Sequence, residues 1–531
     1  MAWARQTEKL RDKLLASEQG TLVKTGHCAL EVGLLGLSPY EIITGSLGFQ
    51  NAYRKFNLAE GARCERLFEL AGNWISLEGG RPLSAFHVLA SSISYEQEMI
   101  WLVSALNAAG VPLRTVERSD GDPVVFCGGP VITANPEPVA PFVDVCGIGD
   151  AESLIPRFTE LWHGTLGSGG SRDEFLDELA RLPGFYVPSR YDCRPGDPPS
   201  PSADDVPAQV PRVISPLNGE PVHSTVVSGL AHFRSMFMVE IARGCRWRCR
   251  FCMVCRINDP YRCADVDSVV SLLEDIPSSA RSVGLVGANL CDHPGLGELL
   301  EIIARRGLRA SVSSLRIGSL DREMLELLVR CGVSSITLAP ETASPGLLKA
   351  IGKAYDPGRL VELVRWSAEA GFSGMKLYYM IGLPDETAND RELLASQLGE
   401  LAAPAGSGLK LKASVNPFVP KPQTAWQDRS MVRQAEVKKI FRELKRRVGE
   451  LAPGVELSWQ SPAETAAQAV LSLGGRELAP ALERSALDNV RLLDCLAGEG
   501  LARENYLHHR EKPVSAHPWK VLECEPLLDR S

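Results

Sequence analysis

The stretch Val239-Glu-Ile-Ala-Arg-Gly-Cys-Arg-Trp-Arg-Cys-Arg-Phe-Cys252 decides the reading of this 531-residue chain. It opens as an apolar strand and ends in a C-x3-C-x2-C triplet made by Cys245, Cys249 and Cys252. Three thiolates on one short loop can hold three corners of a [4Fe–4S] cluster, which leaves the fourth iron without a protein ligand. An open iron can bind and reduce a small molecule; a closed four-cysteine site cannot. Three cysteines packed in a core, or a zinc knuckle, are the competing readings. Zinc knuckles use paired C-x2-C units that supply four ligands, and Cys255 does complete a Cys252-x2-Cys255 pair.

Composition bounds the rest. Hydrophobic content of 44% and charged content of 23% are ordinary for a globular protein, and the length suits roughly two to four domains with a large core. A net charge of −8 argues against a broad non-specific nucleic-acid surface. Residues 1–20 are charged and carry no apolar core segment, so they do not read as a signal peptide. No apolar run reaches the length of about 18 residues that a membrane span needs. Fourteen cysteines without an export signal fit a reducing, cytoplasmic setting, where most of the scattered ones serve as small buried hydrophobes.

Residues 25–165 alternate strand and helix: strands over 86–92, 122–130 and 142–150, helices over 96–109 and 151–162. This predicts an α/β domain with a doubly wound, Rossmann-like parallel sheet, whose ligands sit at the carboxyl ends of the strands. Residues 166–234 read as a linker region, with a Gly/Ser-rich run at 164–171, a Pro/Ser/Asp-rich run at 195–211, and a helix and short strand between them. From 235 to 430 the alternation resumes, with strands expected over 236–242, 282–286, 310–315, 335–338, 375–381 and 410–415. Six such units make a partial (β/α)6 TIM-type barrel, with its site at the strand carboxyl ends. Residues 431–531 form a helical extension. The charged stretch 433–451 reads as an amphipathic helix with a solvated face rather than a nucleic-acid surface.

At this point a resemblance enters. The triplet, with Phe251 ahead of its last cysteine, resembles the signature of the radical S-adenosylmethionine (SAM) superfamily. It is most similar to the enzymes of that superfamily with an N-terminal cobalamin-binding-type domain, including an uncharacterised subgroup. The landmarks span almost the whole chain: Leu47-Gly-Phe-Gln50, Cys64-Glu-Arg66, Gly128-Gly-Pro130, Asn135-Pro-Glu-Pro138 and Gly147-Ile-Gly-Asp150 in the first domain. Pro260-Tyr-Arg262, Ser314-Leu-Arg316, Ala339-Pro-Glu341, Ile381-Gly-Leu-Pro384 and Asn416-Pro-Phe-Val-Pro-Lys-Pro422 follow in the barrel. The resemblance implies a [4Fe–4S] cluster on Cys245, Cys249 and Cys252, reductive cleavage of SAM to a 5′-deoxyadenosyl radical, and a low-potential electron donor of the flavodoxin or ferredoxin type. It further implies cobalamin-dependent methylation of an unactivated carbon. Two alternatives stand beside it. One is a methylthiotransferase, which the 416–422 run resembles, although Cys28, Cys64, Cys127 and Cys146 do not assemble into the second cysteine triad of those enzymes. The other is a radical rearrangement or ring closure without functional cobalamin.

The same resemblance assigns residues. Phe251 and Gly382 would lie beside the adenine of SAM and Gly287 by its methionine amino group. Ser314, Arg316 and Glu341 would bind its ribose hydroxyls and carboxylate, against the plainer reading of an Arg316–Glu341 ion pair. Ser91, Ser92, Gly128, Gly129, Gly147 and Gly149 would receive cobalamin. The D-x-H-x-x-G run that supplies a histidine below cobalt is absent, and His87 reads as a strand histidine. Cys255 is the candidate catalytic thiol, a hydrogen donor facing the substrate, while Cys263 reads as inert. His293 is expected either at the barrel mouth or in a helix cap with Asp292. Trp519 either closes over the barrel or anchors the tail, and His508 and His509 read as surface residues.

Overall fold

The computed structural model describes residues 2–194, 197–508 and 516–523. Every residue of the apolar run β1 (Leu30–Leu35) is buried, as a parallel strand covered on both faces requires. Around it lie β2 (Ala62–Leu70), β3 (Asn73–Ser76), β4 (Val88–Ser92), β5 (Val124–Gly128), β6 (Val145–Gly147) and β7 (Phe185–Tyr186). They form one seven-stranded sheet in the order β3-β2-β1-β4-β5-β6-β7. The five inner strands are parallel and both edge strands antiparallel. The strand order reverses between β1 and β4, which is the switch point where a doubly wound sheet opens a crevice. The sequence analysis marked β4, β5 and β6, and the short strand it placed between the two loop runs is β7; β1, β2 and β3 complete the sheet. Helices α1 (Leu47–Leu58) and α3 (Ala151–Gly164) pack together against the sheet, and α2 (Glu98–Ala108) lies elsewhere on it.

The second unit is an open barrel of β8 (Met236–Glu240), β9 (Ser282–Val286), β10 (Arg309–Val312), β11 (Ser335–Glu341), β12 (Gly374–Ile381) and β13 (Lys410–Pro417). A seventh parallel strand, β14 (Glu456–Ser458), follows. Between β10 and β11 the ladder thins to the single bridge Leu315–Leu338. Along β12, Met375, Leu377, Tyr379 and Ile381 join the helix-covered core, while Lys376, Tyr378 and Met380 alternate with them and stay partly exposed.

The strand expected over 236–242 ends at Glu240. Ala242 and Arg243 instead pair antiparallel with Cys263 and Arg262, because Gly244 turns the chain at φ 82° and its missing Cβ would meet Asn258 O at 2.5 Å. The segment 244–261 is thus a loop pinched at its base, and it contains the three cysteines and the short α4 (Val254–Ile257).

After the barrel come α5 (Gln434–Leu451), α6 (Pro462–Leu473) and α7 (Ala479–Asp488). The apolar residues of α6 and α7, among them Val470, Leu473 and Leu482, belong to the same core as the N-terminal sheet. Trp519, 1% exposed, is buried in that core, so it anchors the tail and does not close the barrel.

Candidate functional site

The carboxyl ends of the two sheets face one another. Between them lies a cavity of about 440 Å³. Its N-terminal wall includes Ser91, Ser92, Gly128, Gly129, Gly147 and Gly149, the six residues singled out from the sequence. Its barrel wall includes Glu240, Ala242, Arg243 and Gly287, and α4 contributes Val254 and Ile257. A Cβ at Gly128 would meet only Gly147 O, at 3.9 Å, so this glycine leaves open space in the wall. Gly129 (φ 100°) and Gly149 (φ 120°) serve the backbone instead, since a Cβ there would run into Ile93 and Val213.

The cavity rim is a charge network. The Arg243 guanidinium stands 2.8 Å from Asp150, 2.7 Å from Glu152 and 2.6 Å from Glu240. Arg262 reaches Asp150 at 2.5 Å and donates to Ser215 O, and the Ser215 N–H donates to Asp150 at 2.7 Å. Burial raises the Asp150 carboxyl, but Arg243, the Ser215 amide and Arg262 more than reverse this and hold it below the usual carboxylate range.

In the cysteine loop, Cys245, Cys249 and Cys252 are partly exposed and Cys255 is buried. Burial, with a smaller push from Cys252, holds the Cys249 thiol above its ordinary range, and nearby Lys353 and Arg316 offset only part of this rise. These cations favour the thiolate that a cluster iron requires. Among the described residues no three His, Cys, Asp or Glu side chains converge on a single-ion site. The donor set suits a cluster, whose thiolates stand on separate irons. Cys255 donates its thiol to Cys252 O at 3.2 Å.

The other predicted residues surround this loop. Phe251 packs against the apolar cluster of Leu347, Leu348, Ile351, Leu383, Phe418 and Trp426. Ser314 is exposed and Gly287 accepts from Ser313 Oγ at 2.7 Å. The Arg316–Glu341 pair does not form. Arg316 lies 3.6 Å over the Trp247 ring, and Glu341 takes Lys353 at 2.8 Å. Glu341 closes β11 at φ 67°, a strained position for a side-chain-bearing residue. Gly382 (φ 70°) donates its N–H to Glu386 at 2.6 Å. The barrel-mouth reading of His293 gives way, since it is 3% exposed and bonded to Ala264 O at 2.8 Å; its Nδ1 accepts from the Gly295 amide at 3.1 Å at the start of the next helix, while Asp292 takes no part there and accepts from Trp247 Nε1 at 3.1 Å. His87 accepts from the Glu31 amide within the sheet. His508 is bonded to Met431 O at 2.9 Å, and His509 lies outside the described residues.

One residue escaped the sequence analysis. Asn289, two residues past Gly287, is 5% exposed, yet its side-chain oxygen and nitrogen have no partner in the protein. A buried amide with both ends unsatisfied is costly and marks the carboxyl end of β9 as a place where a polar ligand completes the hydrogen bonding. An isolated Asn carries no motif, so only the fold could reveal it.

A doubly wound domain facing an open barrel, with a three-cysteine loop at their junction, defines an iron–sulfur α/β protein with an interdomain site. Two family models match it: the N-terminal domain of radical SAM proteins over residues 48–188 and the radical SAM superfamily over residues 239–398. Together they span more than half of the chain, which belongs to the radical SAM superfamily. The uncharacterized protein MJ0966 of Methanocaldococcus jannaschii is 25% identical over 437 residues, covering 80% of this chain and 87% of that one. Among solved structures, the radical SAM methyltransferase TsrM of Kitasatospora setae, with tryptophan substrate and a SAM analogue bound, is 14% identical. It superposes with a TM-score of 0.51 over 75% of each chain. A second structure of TsrM, with cobalamin and a [4Fe–4S] cluster bound, is 15% identical with a TM-score of 0.50, over 75% of this chain and 74% of that one. The family-model matches make the chain a radical SAM enzyme, and its cofactors are a [4Fe–4S] cluster and SAM. Among the described residues no helix is long and apolar enough to cross a membrane.

Proposed function

We propose that this enzyme is a cobalamin-dependent radical SAM methyltransferase that methylates an unactivated carbon at the junction of its two domains. The observation that carries the reading is a cavity that joins the Gly/Ser ends of β4, β5 and β6 to the ends of β8 and β9 and to Gly244, Val254, Ile257 and Asn258 of the cysteine loop. A substrate held there would lie between two cofactors, which is the placement that this chemistry requires.

Cys245, Cys249 and Cys252 would hold the cluster, which when bound supplies the electron that cleaves SAM. Asn289, Arg316 and Glu341 would orient SAM through its polar groups. Ser91, Ser92 and Gly128 would hold cobalamin, which when bound supplies the methyl group. The apolar cavity wall, with Phe56, Phe126 and Ile155, would keep water from the reacting carbon. The sequence carries no D-x-H-x-x-G run, and among the described residues no histidine lines the cavity, which fits cobalamin held without a protein ligand below cobalt. TsrM, which shares the fold, has been solved with both cofactors bound.

The test is anaerobic reconstitution with iron, sulfide and hydroxocobalamin, followed by desalting and metal counting. About four irons with stoichiometric cobalt support the reading. Four irons without cobalt overturn it and leave a radical rearrangement or ring closure.

A further inference from the structure

We infer that Asp150 is a positioning residue for the iron–sulfur loop: through Arg243 and Arg262 it fixes the two ends of the segment 244–261 against the N-terminal domain. The inference rests on the cluster assignment and not on cobalamin.

Arg243 and Arg262 are cross-strand partners at the base of the loop, one on each side of the pinch, and both guanidiniums converge on the two oxygens of Asp150. Arg243 is two residues from Cys245, with only Gly244 between them. Asp150 itself is not free to follow a moving loop. Its amide donates to Val213 O at 2.9 Å and its side chain accepts from the Ser215 amide, so it is clamped between the end of β6 and the strand-like segment 213–215. That segment grips the loop a third time, because Arg212 donates to Arg256 O at 2.5 Å and Asp259 O at 2.8 Å, just beyond Cys255. The three thiolates are therefore placed by a frame that the barrel alone does not contain. Glu152 adds a second carboxylate from the N-terminal domain to Arg243. A network satisfied on all members fixes geometry better than any single pair, and a cluster ligand shell must be held to a fraction of an ångström.

The experiment uses the full chain, reconstituted with iron and sulfide and no added cobalamin, as Asp150→Asn beside the control Asp144→Asn. Asp144 is also buried in the N-terminal domain and pairs with Arg118 and Arg172, but it makes no ion pair with the loop. The readouts are iron content, the EPR signal of the reduced cluster with and without SAM, its midpoint potential, and SAM cleavage. Asp150→Asn should keep its iron, lose the SAM-dependent change in the EPR signal, and cleave SAM about tenfold more slowly or worse. Its potential should move upward, since two cations near the cluster lose their shared anion. Asp144→Asn should keep the parent signal and cleave SAM within about twofold of the parent rate. If the two variants behave alike in EPR and cleavage, whether both retain or both lose them, the inference falls. Should Asp150→Asn fail to fold, Glu152→Gln removes one carboxylate from Arg243 alone. A parent-like EPR response to SAM in that variant would equally overturn the inference. Loss of cobalt binding would not touch these measurements, so the two readings fail separately.

Discussion

The Arg316 guanidinium lies 3.6 Å above the ring of Trp247, the residue midway between Cys245 and Cys249. Trp247 is itself tied to Asp292 through its indole N–H. An arginine that the sequence offered to Glu341 is thus held over the cluster loop by an aromatic face. Such stacking is worth about 1 kcal/mol, or roughly fivefold in affinity. Trp247→Ala should weaken SAM binding by about that factor, while Trp247→Phe, which keeps a ring under Arg316, should stay near the parent. Equilibrium dialysis of SAM on the reconstituted protein reads the difference.

Lys353 is the partner that lets Glu341 be buried. Burial raises the Glu341 carboxyl and Lys353 opposes this. Lys353→Met leaves that carboxylate alone in a place 12% exposed, and breaking such a pair costs about 3 kcal/mol. The urea midpoint of the apo protein should fall accordingly. Glu341→Gln, which removes the charge rather than stranding it, should cost clearly less.

Burial pushes the Glu386 carboxyl up from 4.5 to about 7, against the opposing pull of the Gly382 amide and Arg391. A carboxyl whose folded pKa lies above its unfolded value binds more protons when folded. Its stabilising contribution is present below about 4.5 and is lost as pH rises to about 7, on the order of 3 kcal/mol in all. Glu386→Gln keeps an acceptor for the Gly382 amide but cannot ionise. The melting temperature of the variant minus that of the parent should therefore increase from about pH 5 to about pH 8 and level off above. A flat difference would mean that the charged form is better solvated than its burial indicates.

Replacing Cys245, Cys249 or Cys252 by Ala should abolish iron retention and SAM cleavage together. Cys255→Ala removes only a thiol bonded to Cys252 O, so iron content should stay at the parent level with a stability loss of about 1 kcal/mol. Iron counting and EPR separate the two outcomes.

Gly128→Leu places a side chain in the open wall of the cavity. Among the described residues, and apart from its chain neighbours, the nearest atom to the added Cβ is Gly147 O at 3.9 Å, so the fold should survive and iron binding should be unchanged. Cobalt retention after desalting should be lost, because the side chain occupies cofactor space. Retained cobalt would place the cofactor elsewhere.

Sequence periodicity and the cysteine spacing located the barrel well: β9 starts and ends where the pattern did, and five other strands fall within a few residues of their expected positions. The short β14 was missed because Glu456-Leu-Ser458 carries no alternation long enough to read. β1 and β2 were missed for different reasons. β1 is too short an apolar run to tell from buried helix, and β2 carries Arg63, Glu65 and Arg66 in ion pairs that look like a solvated segment. In the site, glycines and cysteines were legible since their roles follow from backbone freedom and ligand chemistry. Asp150, Arg243 and Arg262 were visible only as motif letters, because their meaning lies in contacts across 93 and 112 positions of sequence, which no local pattern encodes.

The core shared by the N-terminal sheet with α6, α7 and Trp519 makes that domain discontinuous. The barrel is, in effect, an insertion into it. During synthesis the barrel and its cysteines leave the ribosome before the last segments that seal the first domain, including Arg476, which closes on Glu137 at 2.9 Å. The cysteine loop therefore leaves the ribosome before the core of the first domain is sealed. A chain stopped ahead of α6 would lack not an appendage but the final piece of its first domain.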